Sequence, residues 1–267
     1  MRALISGSSG FLGQNLFKEL KKHEIRSYPL LRETLQKSIL IQQEINKIKP
    51  EYIFCCHAYG NMYHQIEEDL IITANYINTW NLLRASSNFN YKTLVYISTS
   101  SIFLPYETLY SATKAGAEKL CKAYSTKYDK SIIIVRPYSI YGPGEADFRF
   151  IPTVFRSCLT GEPMVLAEGT HDWITIQDFT TYLLKKIIVN KNNGYQEWNI
   201  GTGIPTKNST IVNIIEKISG KKANIINKKQ LRLFDNDQWY APKPIKATKL
   251  EEGLQQCFTF YKNKYGN

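Results

Sequence analysis

Tyr110-Ser111-Ala112-Thr113-Lys114 sets a phenol and an ammonium four residues apart. On a helix, positions i and i+4 share one face. A lysine beside a phenol favours the phenolate and lowers the tyrosine pKa. Such a tyrosine moves a proton to or from a carbinol or carbonyl oxygen near neutral pH, and the lysine keeps N–H groups to spare for a ribose. Tyr-x-x-x-Lys is common by chance, so its surroundings in the chain carry the reading. Just upstream runs Val95-Tyr96-Ile97-Ser98-Thr99-Ser100-Ser101-Ile102-Phe103, an apolar run that ends in hydroxyls. A hydroxyl past the C-terminal end of a parallel strand faces the ligand crevice. Thr99, with Ser100 as its neighbour, is the candidate for holding the reacting oxygen.

A second constellation opens the chain. Ala3-Leu4-Ile5 reads as a strand that runs into Gly7-Ser8-Ser9-Gly10-Phe11-Leu12-Gly13, and Leu12, Leu16 and Leu20 follow at helical spacing. Gly7 permits the tight turn, Gly10 lets a pyrophosphate approach the backbone, and Gly13 lets the helix pack on the sheet. The helix N-terminus offers free N–H groups and the positive end of its dipole to phosphates. This loop, with Ser9, Phe11 and Leu12 between its glycines, is the expected dinucleotide site. An acid at the end of the second strand would bind the adenosine ribose of NAD. That stretch instead reads Ser27-Tyr28-Pro29-Leu30-Leu31-Arg32, and Arg32 suits the 2′-phosphate of NADP. The expected cofactor is NADP(H) or NAD(H).

These residues need a scaffold. Strand-like runs at 25–31, 52–56, 94–97 and 132–135 alternate with helical patterns at 11–22, 39–48, 70–85 and 111–127. That alternation predicts right-handed βαβ units and a parallel sheet covered on both faces. The expected fold class is α/β, a Rossmann-type doubly wound sheet with a small C-terminal substrate-binding lobe. The sheet domain is expected over 1–143 plus about 172–200, and the lobe over about 144–171 plus 201–267. The 267 residues carry 34 basic and 23 acidic side chains, a formal charge of +11, scattered along the chain. The five cysteines are odd in number and irregularly spaced, which excludes a disulfide framework and a thiolate zinc site. His23, His64 and His171 have no ligand spacing, so no metal is expected. No apolar stretch approaches the ~18 residues of a membrane span, and a cytoplasmic location is the expectation.

The order of these motifs resembles the extended short-chain dehydrogenase/reductase family. Its Gly-x-x-Gly-x-x-Gly loop matches Gly7 to Gly13. Its Ser-Ser/Thr-x-x-Val-Tyr motif, aligned on Ile102-Phe103, puts the catalytic hydroxyl at Thr99, and Tyr110 and Lys114 follow. Cys56-His57-Ala58-Tyr59-Gly60 matches the loop over the nicotinamide side, and Asn75 matches a helix asparagine that helps order a proton relay. Arg136-Pro137-Tyr138-Ser139-Ile140-Tyr141-Gly142-Pro143-Gly144, Asp172 to Asp178 and Trp198 to Gly203 match later segments, so the likeness runs to about residue 203.

The resemblance implies a nucleotide-sugar enzyme with catalytic Thr99, Tyr110 and Lys114. It implies cofactor contacts from the glycine loop, Arg32, His57, Ala58, Tyr59, Asn75, Tyr138 and Ile140. Ser100 and Ser139 become substrate contacts, and Arg149, Arg156 and Lys243 become candidates for a substrate diphosphate, which suits the positive charge. Where the family's 4,6-dehydratases carry Asp-Glu after the catalytic threonine, this chain has Ser100-Ser101, which disfavours that elimination. The family's asparagine and arginine are replaced by Ser139 and His171. The 11-residue gap from Thr99 to Tyr110 and the compact region after the second strand resemble the small deoxysugar reductases. The expectation is therefore an NAD(P)H-dependent reductase of a 4-keto nucleotide sugar. The alternative is an NAD-dependent 4-epimerase, and a rival of another class is a non-catalytic scaffold or nucleic-acid binder. No nucleic-acid partner is expected, and the family implies a homodimer through the helices at 70–85 and 111–127.

Overall fold

A computed structural model describes residues 1–190, 194–229 and 239–266. In chain order the first elements are β1 (Arg2–Ser6), α1 (Phe11–Lys22), β2 (Arg26–Leu30), α2 (Arg32–Leu35), α3 (Ser38–Ile48) and β3 (Tyr52–Cys55). Next come α4 (Glu68–Ile72), a π-helical turn (Thr73–Ile77), α5 (Asn78–Ser86), β4 (Thr93–Ile97), a 3₁₀ turn (Ser100–Phe103), α6 (Leu109–Tyr128) and β5 (Ile132–Pro137). The chain continues with β6 (Ser139–Tyr141), α7 (Phe150–Thr160), β7 (Met164–Ala167), β8 (Thr170–Thr175), α8 (Ile176–Val189) and β9 (Tyr195–Ile200). It closes with β10 (Pro205–Lys207), α9 (Asn208–Ser219), β11 (Ile225–Lys229) and α10 (Leu250–Tyr265).

The chain divides into two compact units. The first holds Met1–Phe103, Glu107–Pro137 and Thr180–Asn199. Its six-stranded sheet has the order β2-β1-β3-β4-β5-β9, and the pairs from β2 to β5 are parallel. The reversal of winding falls between β1 and β3, and the crevice outside the strand ends at such a switch point is where doubly wound sheets bind ligands. Every residue of β3 and β4 is buried, as expected of strands covered on both faces. One face packs Leu4, Ile53, Leu94 and Ile132 against Ile41 and Ile45 of α3, Leu82 of α5 and Ala117 of α6. α6 starts in a capping box, with Thr108 Oγ1 accepting from the Ser111 N–H and Ser111 Oγ from the Thr108 N–H, which anchors its first turn.

The second unit holds Leu104–Tyr106, Tyr138–Phe179 and the chain from Ile200 onward. It contains the sheet β10-β8-β6 and the parallel pair β7·β11. Its core gathers Tyr141, Ile151, Phe155, Trp173, Ile211, Leu254 and Tyr261. Residues 138–143 and 172–179, expected with the first domain, lie here. The reason is pairing: β6 runs parallel to β8, with Ser139 opposite Trp173 and Tyr141 opposite Thr175. Within the expected lobe, residues 230–238 and Asn267 lie outside the described residues.

Candidate active site

The glycine loop has the shape of a phosphate cradle. Gly7 sits at φ +68°, and a Cβ there would stand 2.6 Å from the His57 backbone nitrogen. A Cβ on Gly13 would come within 2.2 Å of the Gly7 carbonyl oxygen. The turn, the loop after β3 and α1 are thus packed backbone to backbone, which only glycine allows. The Gly10 N–H donates to Gly7 O at 3.1 Å, and no side chain caps the α1 N-terminus at Gly10. Ser9 and Gly10 are exposed, Phe11 and Leu12 half-buried. An uncapped helix N-terminus with a bare backbone before it fits a dinucleotide pyrophosphate. Arg32 is exposed at the start of α2, just past β2. Its charge reaches the phenol of Tyr59, beyond β3, whose pKa is pushed up by its hydrogen bond to Glu67. Arg32 and Tyr59 therefore flank the switch point from either side. Ala58 is exposed between Tyr59 and the buried His57.

The candidate catalytic residues lie on the end of β4 and the first turns of α6. Thr99 lies two residues past the strand, its Oγ1 donating to Ser101 Oγ at 3.0 Å and accepting the Ser101 N–H at 3.1 Å. Ser100 is buried in the 3₁₀ turn. Tyr110 is in the first turn of α6 and Lys114 one turn on. The Lys114 ammonium, 0% exposed, donates to Ile97 O at 2.6 Å and lies 4.1 Å from the centre of the Tyr96 ring. One N–H of three is committed to that carbonyl, leaving two for a ribose. Burial lowers the Lys114 pKa to about 8. The first turns of α6 and the end of β4 thus supply the phenol, the ammonium and the hydroxyl, with the ammonium held against the strand end.

Asn75 is fully buried in the π-helical turn. Its Oδ1 accepts the Tyr59 N–H at 2.9 Å, and its Nδ2 donates to Tyr59 O at 2.8 Å and Thr113 Oγ1 at 3.0 Å. It ties the loop after β3 to the residue beside Lys114, and both of its amide N–H groups are used in those bonds. The signal for Thr113 was its place inside the Tyr-x-x-x-Lys segment, which sequence reasoning passed over. His57 is buried, with Nδ1 2.7 Å from Ser6 Oγ. Burial and the Lys114 charge push its pKa down to about 3, so it braces the loop as a neutral ring. Arg136 holds Glu118 of α6 bidentately at 2.9 and 2.6 Å and lies over the ring of Phe103, the last residue of the 3₁₀ turn. Its fork fixes the rotation of α6 about its axis. Among the described residues no group of His, Cys, Asp and Glu could hold a metal ion.

The remaining candidates belong to the second unit. Tyr138 is buried and Ile140 half-buried in β6. Ser139 Oγ lies 3.3 Å from His171 Nδ1, and the His171 ring meets the rings of Trp173 and Trp239 at 5.3 and 4.9 Å. Arg149 is bound to Glu145 at 3.0 Å, Arg156 to Glu162 at 2.8 Å, and Lys243 is exposed. The two arginines are already partnered by acids of their own unit. Asp172, which the sequence marked only as part of a segment, is fully buried. It accepts from the N–H groups of Thr202, Gly203 and Ala241 and from Thr202 Oγ1 at 2.6–2.9 Å.

The sequence profile described as "NAD dependent epimerase/dehydratase family" matches residues 3–201. The chain belongs to this family. Among curated relatives, a UDP-glucuronate 4-epimerase of Thermodesulfobacterium geofontis is 34% identical over 173 residues, 57% of this chain and 51% of that one. The chain thus spans about half the length of that relative. An uncharacterized UDP-glucose epimerase of Bacillus subtilis is 23% identical, with 99% of each chain covered. Among solved structures, UDP-glucose 4-epimerase of Thermus thermophilus with NAD has a TM-score of 0.86 at 17% identity, covering 98% of this chain and 99% of that one. UDP-glucuronic acid 4-epimerase of Bacillus cereus, with UDP-glucuronic acid and NAD, reaches 0.82 at 20% identity, covering 99% of this chain and 100% of that one. These likenesses establish the Rossmann-type α/β fold of the epimerase/dehydratase family.

Proposed function

We propose that this chain is an NAD-dependent 4-epimerase of a nucleotide-diphosphate sugar. The observation that supports the reading is Lys114 held against the end of β4 at Ile97, with Tyr110 one turn before it on α6 and Thr99 two residues past the strand, in the same unit as the glycine cradle. The glycine loop and the α1 N-terminus would hold the pyrophosphate, Lys114 the nicotinamide ribose, and Arg32 the adenosine end. When bound, the nicotinamide supplies reversible hydride exchange with the sugar C4. Tyr110 takes the proton from the C4 hydroxyl oxygen and returns it to the C4 carbonyl oxygen after the sugar has turned over. Thr99 Oγ1 orients that same oxygen, and the Lys114 charge favours the phenolate in between.

The sequence expectation put reduction of a 4-keto sugar first. The relatives favour epimerisation: two of those most similar are named as UDP-sugar 4-epimerases or UDP-glucose epimerases. An epimerase ends with its cofactor in the starting state, and the residues are the same. The substrate class is a UDP-sugar, and a homodimer is proposed through the helices at 68–86 and α6, where Leu70, Ile72, Ile77 and Trp80 are exposed. The cofactor form, NAD(H) or NADP(H), turns on Arg32. Purified protein dialysed and then given UDP-glucose or UDP-glucuronate should form the C4 epimer with no added cofactor or with catalytic amounts. Stoichiometric NAD(P)H oxidation on a 4-keto sugar nucleotide, without epimer formation, would restore the reductase.

A further inference from the structure

We propose that Tyr96 is a positioning residue that seats the Lys114 ammonium through the face of its ring. This inference rests on the catalytic reading of Lys114. Tyr96 lies in the middle of the sheet, opposite Cys55 on β3 and Ile134 on β5. Its ring is fully buried, and its hydroxyl has no hydrogen-bond partner among the described residues. A buried hydroxyl left without a partner is costly, so the position is not kept for the hydroxyl. What the ring does have is Lys114 Nζ 4.1 Å from its centre. The negative face of an aromatic ring attracts a cation most strongly where water is excluded, and Lys114 is 0% exposed.

The ammonium also donates to Ile97 O at 2.6 Å. The end of β4 thus contributes in succession the ring of Tyr96, the carbonyl of Ile97 and, two residues later, the hydroxyl of Thr99. The ring and carbonyl hold the ammonium from the strand side. The other titratable groups near it are Tyr110 one turn earlier on α6, Cys55 and Cys56 at the end of β3, His57 beyond them, and Glu118 and Cys121 on α6. Glu118 is engaged by Arg136, and burial pushes the thiols of Cys55 and Cys121 upward, so they remain neutral. His57 is neutral as well. Among the described residues no carboxylate is therefore free to balance Lys114, and the ring supplies the missing negative potential.

The direct test follows Lys114 itself. The full chain, free of cofactor, is labelled at the lysine ε-carbons, and the Lys114 resonance is assigned with Lys114→Arg. In the unmodified chain it should titrate near 8. Tyr96→Phe keeps the ring face and should leave that midpoint within about 0.3 unit. Tyr96→Leu removes it and should lower the midpoint by roughly one unit, the scale of a buried cation–π contact. Pentafluorophenylalanine at position 96 keeps the shape and reverses the ring's potential. It should lower the midpoint by at least as much, and it serves if Tyr96→Leu does not fold. An unchanged midpoint with the fluorinated ring, or an equal drop with Tyr96→Phe, would overturn the proposal. The titration needs no turnover. A shifted midpoint in a protein without epimerase activity would uphold the seat and defeat the functional reading alone.

Discussion

Glu118 in the first unit and Glu145 in the second are both buried carboxylates, but their partners differ. In the first, the buried Glu118 has both oxygens on Arg136, which also meets Glu197. In the second, Glu145 is buried with one oxygen on Arg149 and the other without a partner among the described residues, and burial raises its pKa to about 7. Both units carry family motifs and both carry departures, Ser100-Ser101 in the first and Ser139 and His171 in the second. The first unit carries the glycine loop, the hydroxyl segment and Tyr-x-x-x-Lys in the expected order. The second has Ser139 and His171, bonded to each other and flanked by tryptophans, where the family's asparagine and arginine are expected.

The largest break comes from Tyr110→Phe. It should cut turnover by at least ~100-fold, the scale of lost acid–base catalysis, with an unchanged melting temperature in the absence of ligand. Next is Gly13→Ala, whose new methyl meets the Gly7 carbonyl at 2.2 Å. It should cost roughly 1–3 kcal/mol of stability, as overpacking does, and abolish the thermal shift produced by NAD(H) or NADP(H).

The units should also answer pH with opposite sign. His57 has its pKa lowered from 6.5 to about 3 in the fold. The unfolded chain then binds more protons below 6.5, so this contribution is present above that pH and lost on acidification toward 3. Glu145 goes the other way, from 4.5 to about 7. Here the folded state binds the extra proton, so stability falls as pH rises from 4.5 to 7. Urea unfolding across pH 4–8 should show His57→Gln flattening the acid side and Glu145→Gln the neutral side. A slope unchanged by either variant removes the contrast. The smallest effect is expected at the half-exposed Arg156–Glu162 pair. Arg156→Ala should change stability by less than ~1 kcal/mol, and a raised KM for a UDP-sugar would show that Arg156 meets the diphosphate.

Much of the first unit was legible because its signals are local. Glycine spacing, the apolar runs of β3 and β4, and the i to i+4 pair each report one element. The π-helical turn at Thr73–Ile77 was not, since residues 70–85 read as an unbroken helix and the bulge depends on Asn75 bonding to Tyr59 and Thr113. The role of Tyr96 was hidden in the same way: in sequence it is one more apolar residue of a buried strand. The second unit was read least well. β6 and β8 pair across some 30 residues, and Asp172 collects donors from Thr202, Gly203 and Ala241. Contacts of such range leave no periodic trace.

The central claim is that hydride leaves and returns to one sugar carbon beside Thr99, Tyr110 and Lys114. It is tested most directly with UDP-glucose or UDP-glucuronate deuterated at C4, followed by NMR in ordinary water. The account predicts inversion at C4 with the deuterium retained there and no net consumption of dinucleotide. Inversion with deuterium lost to solvent, or a Tyr110→Phe variant that inverts C4 at the wild-type rate, would contradict it.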